Sequence, residues 1–235
     1  MPALKRPRGR AAILCADPVM ARLVNAAGRC GLKPHARSSA FETLARAIAS
    51  QQLSGIVARR ILDRLCALHA PAPFPQPAAV LANSDAELRA VGFSFAKIRA
   101  LRDLAGKSLD GTVPDDSALA AMEDEAIVER LTTVRGVGRW TVEMLLMFQL
   151  GRPDVFPVDD FGVRNGFRLA YGLKQLPHPR ALALYGERWA GHRSAAAWYL
   201  WRAVDLHREG ALPPPLRPAP RLRRPRRKTR AHAHK

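Results

Sequence analysis

Cysteine is scarce in this chain of 235 residues, which has only Cys15, Cys30 and Cys66. They lie far apart and include no Cys-x-x-Cys pair, so they read as reduced, small apolar residues of a cytosolic protein. Long apolar runs are missing too. No stretch approaches the ~18 uninterrupted apolar residues of a membrane span, and Lys5, Arg6, Arg8 and Arg10 lead into no signal-peptide core. The expected location is the cytoplasm, at the nucleoid if the source is bacterial. No run alternates apolar and polar residues with β-branched enrichment, which argues against sheets and for an all-α fold. Acids are few: 20 Asp and Glu against 38 Lys and Arg leave a net charge of +18 and a pI near 11.2. That excess implies a polyanionic partner. Nucleic acid is the usual one, because each cation set on a phosphate releases condensed counterions and steers encounter.

The basic residues are unevenly spread. Residues 211–235 hold nine Lys and Arg and no acid, half of the net charge, in a Pro/Arg-rich segment that cannot pack a core. They are expected to form a disordered tail with non-specific DNA affinity, and residues 1–11 a flexible basic arm. The 48% apolar content suffices for a sizeable core within residues 12–210, as one domain or two small lobes.

Helix signals are frequent. Asp17 with Pro18 reads as a cap followed by a first helical residue, and Gly31 and Pro34 as that helix's end. Ser39 with Glu42 reads as a capping box ahead of Phe41, Leu44, Ala45 and Ile48, an apolar face at helical spacing. This helix runs into Ser50-Gln-Gln-Leu-Ser54, where Ser54 caps the next. Pro71 to Pro77 is a connector, Ser84-Asp-Ala-Glu87 another capping signature, and Gly111 to Asp116 a loop into a helix begun at Ser117.

The central run is Leu131-Thr-Thr-Val-Arg-Gly-Val-Gly-Arg-Trp-Thr-Val-Glu-Met-Leu145, then Asp154-Val-Phe-Pro-Val-Asp-Asp-Phe-Gly-Val-Arg164. It predicts a helix capped by Asp124, with Ile127, Val128 and Leu131 turned inward, then a hairpin. Gly136 and Gly138 can reverse the chain with positive φ and bring no side chain between a ligand and the backbone N–H groups. Arg139-Trp-Thr then opens a second helix whose N-terminal amides and dipole suit a phosphate, and Gly151 and Pro153 stop it. Asp159 and Asp160 stand at the start of a further helix, Phe161 to Tyr171, and one of them is its cap.

The whole block resembles the helix-hairpin-helix, with Gly/Pro-rich loop and catalytic Asp, of a superfamily of DNA base-excision glycosylases. It matches most closely the 3-methyladenine DNA glycosylase II family, over roughly residues 12–208. The resemblance implies two helical lobes with the active site in the cleft between them. It implies DNA-binding roles for Gly136, Val137, Gly138, Arg139 and Thr141 in the hairpin, and for Lys97 in Val91-Gly-Phe-Ser-Phe-Ala-Lys97. Gln52 occupies the place of a side chain that enters the duplex where the target base has left, flanked by Gln51 and Leu53; some members have an aliphatic residue there. Trp140 and Trp201 correspond to aromatics of the base pocket, and Met144 stands where some relatives have a further aromatic. No cofactor is implied beyond a possible monovalent cation on hairpin carbonyls near Thr132, Val134 and Gly136.

The resemblance also implies the chemistry. Positive charge grows on the sugar as a base departs, and a fixed carboxylate nearby lowers that barrier and can orient the attacking water. Alignment on the family's Asp-Asp-aromatic pattern selects Asp160; alignment on the Val-Asp-x-x-x-x-Arg pattern of endonuclease III-like enzymes selects Asp159, with Arg164 in register. The first match is closer, so Asp160 is the first choice and Asp159 the second. Bifunctional members place a lysine where this chain has Trp140, and tryptophan cannot form a Schiff base. No cysteine lies beyond residue 66, so the four-cysteine iron–sulfur loop of endonuclease III-like relatives is missing as well. The expectation is a monomeric, monofunctional glycosylase acting on alkylated bases, such as 3-methyladenine and 7-methylguanine, in double-stranded DNA. The alternatives are an oxidised-base glycosylase/lyase and a non-enzymatic helix-hairpin-helix DNA-binding protein.

Overall fold

The computed structural model describes residues 10–34, 38–216 and 222. In chain order its helices are α1 (Arg10–Cys15), α2 (Pro18–Ala27), α3 (Ala40–Ser50), α4 (Gly55–Leu68), α5 (Pro77–Ala82), α6 (Asp85–Val91) and α7 (Phe95–Leu109). They continue as α8 (Asp116–Ala121), α9 (Asp124–Leu131), α10 (Arg139–Phe148), α11 (Phe161–Ala170), α12 (Pro179–Gly186) and α13 (Arg193–Arg208). Among the described residues there is no strand, so the fold is all-α as the missing alternation predicts. None of these helices is long and apolar enough to cross a membrane. The chain divides into two compact units, Lys33–Arg152 and Met1–Leu32 with Pro153–Lys235.

The unit Lys33–Arg152 is assembled around α7, whose Ile98, Leu101, Leu104 and Ala105 are buried and against which α3, α5 and α6 pack. Ser54 caps α4, and Ser84 with Glu87 forms a complete capping box on α6. At α3 only half of the expected box forms. Ser39 accepts the Glu42 amide, while the Glu42 carboxylate turns to Arg46 one turn on, at 2.7 Å, where the bond is charge-assisted. The first amide of α3 is satisfied from a distance instead: Ala40 N–H donates to Asp116 at 2.9 Å. Helix α8 correspondingly begins at Asp116, with Asp115 as its cap, one residue ahead of the expected Ser117. Helix α9 starts with Asp124 inside it rather than capping it, because that carboxylate pairs with Arg152 at 3.1 Å. Its predicted stripe of Ile127, Val128 and Leu131 is buried.

The other unit is held by a close approach of α11 to α13. A Cβ on Gly166 would lie 1.9 Å from the Leu200 carbonyl oxygen, so the two helices meet backbone to backbone. Beside this seam Asp17, 5% exposed, caps α2 and accepts the hydroxyls of Tyr171 at 2.8 Å and Tyr185 at 3.0 Å. Burial and the neighbouring Asp17 charge push Tyr185 up to about 12 and Tyr171 well above the ordinary tyrosine value, so both hydroxyls remain donors. Helix α2 stops at Gly28, with φ of 72°, ahead of the predicted Gly31 and Pro34. Gly31 serves packing instead: a Cβ there would lie 3.2 Å from the Trp198 ring.

The basic arm expected over 1–11 and the tail expected over 211–235 lie largely outside the described residues. Of their described parts, Arg10 already opens α1. Residues 211–216 are held against the fold, with Arg22 donating to the Pro214 carbonyl at 2.8 Å and Pro215 seated on Gly172.

Candidate active site

The hairpin joins α9 to α10 as predicted. Val134 and Val137 are buried and anchor it from within, and Val137 N–H closes the turn on the Val134 carbonyl at 3.0 Å. Gly136 has φ of 77°, a conformation that costs glycine nothing and other residues a strain. Gly138 does not share it: it is the extended N-cap of α10, with φ of −99°, and a Cβ there would meet nothing within 4 Å. Its value is open space before a helix N-terminus that carries no side-chain cap, the arrangement that suits an anion. Arg139, the first residue of α10, holds the Glu125 carboxylate with both terminal guanidinium nitrogens. This pairing with Arg139 keeps Glu125 below the usual carboxylate range.

Helix α3 is followed by a turn that holds Gln51, its C-cap, and Gln52. Gln52 has φ of 56°, alone among the described non-glycine residues in the left-handed region, and with Leu53 it is exposed. Strained backbone of this kind persists where surroundings over-determine it, often at ligand-binding turns. A cavity of about 560 Å³ lies beside the turn, between α3 and α10. Trp140, Met144 and Phe148 reach it from α10 at four-residue intervals, Thr43 and Ala47 from α3 at the same interval, and Gln51 from just beyond the end of α3. Trp140 remains 48% exposed. None of the described residues lining the cavity is ionisable, so it offers shape and aromatic face rather than charge. Of the residues expected in the base pocket, Trp140 and Met144 line this cavity; Thr43, Ala47 and Phe148, which share the four-residue spacing, line it without having been singled out.

Lys97, read as a phosphate contact, lies at the start of α7 and donates to the Ala49 carbonyl at 2.7 Å. Burial lowers its ammonium below the ordinary lysine value. Thr141 is buried and lines the cavity as well as belonging to the first turn of α10.

In the other unit, Asp160 is the N-cap of α11. Its Oδ1 accepts the Val163 amide at 2.7 Å and the Trp201 indole N–H at 2.8 Å. Trp201, expected as a wall of the base pocket, is thus bound to the carboxylate itself. Gly162 makes room for the ring, since a Cβ there would lie 2.7 Å from Trp201 Cδ1 and 3.0 Å from Asp160 Oδ1. Asp159 is exposed. The segment leading to the two aspartates is fastened to the start of α13: Arg193 grips Asp154 at 2.8 and 2.7 Å, Ser194 N–H donates to Pro153, and Val155 N–H to Ser194 Oγ. No sequence signal marked this clamp.

Burial raises the Asp154 carboxyl, but the hydrogen bonds and charge of Arg193 outweigh it and hold the group below the ordinary aspartate value. A depressed carboxyl contributes stability that is complete above the unfolded value, about 4, and is lost as pH falls through the folded value. In calorimetry between about pH 5 and pH 2, Arg193→Met is therefore expected to lose less melting temperature than wild type. Equal slopes would remove the clamp from the acid-labile interactions.

A glycine-turned helical hairpin followed by a carboxylate on the next helix cap is the arrangement of base-excision repair proteins. Residues 45–191 match the HhH-GPD superfamily of base excision DNA repair proteins, and the chain belongs to that superfamily. It is 40% identical over 166 residues to DNA-3-methyladenine glycosylase 1 of Schizosaccharomyces pombe, spanning 71% of this chain and 73% of that protein. Among solved structures it is similar to a Schizosaccharomyces pombe 3-methyladenine DNA glycosylase in complex with abasic DNA, with 36% identity, a TM-score of 0.73, and 82% of this chain and 95% of that one covered. A DNA-3-methyladenine glycosidase from Bacillus halodurans is also similar, with 32% identity, a TM-score of 0.74, and 84% and 89% covered.

Proposed function

We propose that this protein is a monofunctional DNA glycosylase, a monomer that hydrolyses the N-glycosidic bond of alkylated bases flipped out of duplex DNA. The observation that carries the reading is Asp160, ordered by Trp201 and the start of α11, in a member of the superfamily whose hairpin carries Trp140 rather than lysine. The names of the relatives reported above favour 3-methyladenine and similar lesions as substrates. A flipped base has to be unstacked and then held. The neutral cavity with Trp140 on its rim suits a methylated purine bearing positive charge, which an electron-rich ring attracts by about 0.5–2 kcal/mol. That contact is modest, so selectivity rests mainly on the weakness of the alkylated glycosidic bond. Asp160 contributes when the bond breaks: its anion offsets the charge growing on the sugar and can orient the water that attacks C1′. A carboxylate and water suffice for this hydrolysis, without a cofactor. The Val134 and Gly136 carbonyls each accept a protein donor already, so a monovalent cation at the hairpin would have to share them.

The test uses duplex DNA methylated at purine nitrogens. Free methylated base should appear, with strands that break only after alkali or an abasic endonuclease is added. Borohydride should trap no protein–DNA crosslink, because reduction captures an imine and Trp140 cannot form one. Efficient trapping would move the protein to the lyase class, and binding without base release would make it a DNA-binding protein alone.

A further inference from the structure

We propose that Gln51 is a positioning residue that ties the hairpin to the turn after α3, so that the grip on the DNA backbone and the capture of a displaced base act together. Its side-chain amide donates from Nε2 to the Gly136 carbonyl at 2.7 Å, across 85 residues of chain. Gly136 is where the hairpin reverses, and Gln51 is the residue before Gln52, whose backbone is left-handed. One side chain therefore links the turn that holds Gln52 to the reversal at Gly136, and it also lines the cavity.

Helix α7 braces the joint from behind. Lys97 donates to Ala49 at the end of α3, Asp103 accepts the Arg135 amide of the hairpin at 2.7 Å, and Lys107 bridges Asp103 to the Thr133 carbonyl. Ala100 lies behind Gly136, where a Cβ would stand in ordinary contact with it at 3.4 Å, and so backs the hairpin on that side when the tie is cut. Cutting it should free the hairpin to move outward instead. A neutral hydrogen bond of this kind accounts for roughly a three- to tenfold effect on an equilibrium.

The inference rests on the glycosylase reading only for which surfaces meet DNA, and its test reads binding rather than base release. Wild type, Gln51→Met and Gln51→Glu are titrated with two duplexes of one sequence, undamaged or carrying a tetrahydrofuran abasic analogue. Met keeps the length of Gln without a donor, and should weaken both duplexes by roughly three- to tenfold. At pH 7.5 ionised Glu faces the Gly136 carbonyl with an acceptor and should weaken both further. Below about pH 5 its protonated carboxyl can donate again, so Gln51→Glu should recover toward wild type. Lys97, Asp103, Lys107 and Arg135 are common to all three proteins, so the Glu-minus-Met difference isolates position 51. Gly138→Val would put a side chain into the open space before α10 and should itself weaken both duplexes; in that background Gln51→Met should cost less than it does alone. Loss confined to the abasic-analogue duplex, or a Glu profile parallel to that of Met, would overturn the tie. A wild type that binds neither duplex would overturn the glycosylase reading along with it.

Discussion

Asp160→Asn is expected to slow single-turnover release of methylated base by roughly 10²–10³-fold, the usual consequence of removing one charge-stabilising group from a transition state. The fold should not change. Asn keeps an oxygen at the Oδ1 position, so the Val163 amide and the Trp201 indole retain their acceptor. Binding to an abasic-analogue duplex should stay close to wild type, because what is lost acts on the charge that develops at the sugar. The neighbouring change is the control: Asp159 is exposed, and Asp159→Asn should release base almost as wild type does. Chemical-quench time courses of both variants read the answer directly. A dead Asp159→Asn with an active Asp160→Asn would exchange their roles.

Gly166→Ala should destabilise the unit that carries Asp160 by about 3 kcal/mol or more, at the upper end of overpacking effects. Its methyl group would lie 1.9 Å from the backbone oxygen of Leu200, and backbone cannot rotate out of the way as a side chain can. Helix α13 must then move off α11, and Trp201 rides on α13. Gly162→Ala, four residues earlier, separates stability from chemistry. There the methyl would meet the Trp201 ring at 2.7 Å, and a ring can tilt, so the protein should remain folded while its Asp160 contact is disturbed. Urea unfolding monitored by circular dichroism, with base release measured on the folded fraction, distinguishes the two. A Gly166→Ala variant as stable as wild type would mean that the α11–α13 seam is looser than described.

Much of the fold was legible because helix signals are local. Asp17 with Pro18, Ser54, and Ser84 with Glu87 all cap the helices they precede, since an N-terminal amide finds the side chain two or three positions away. Gly136 was legible for a similar reason, as the position where the chain must reverse. Where a local signal failed, a competitor nearby had more to offer. Glu42 took Arg46 over Ser39, and Asp124 took Arg152 over the cap of its own helix, because an ion pair adds charge to a hydrogen bond.

The candidate site divides along the same line. A cap at Asp159 or Asp160 could be read from the run that contains them, and the family resemblance singled out Asp160, Trp140, Met144 and Gln52 as candidates. Their partners could not be read in this way. Trp201 reaches Asp160 across 41 residues, Gln51 reaches Gly136 across 85, and Tyr171 reaches Asp17 across 154. By itself the sequence determined that the chain is helical, where most helices begin, which faces turn inward and which carboxylates stand after the hairpin. All of these are set by dihedral preferences, caps and spacing within a few residues. Only the tertiary structure decided that an indole orders the carboxylate, that Gly166 admits a backbone and that Gln51 ties two turns together. Periodicity specifies that a face is buried but not what it is buried against, and each of these contacts exists only once two distant helices or turns have packed.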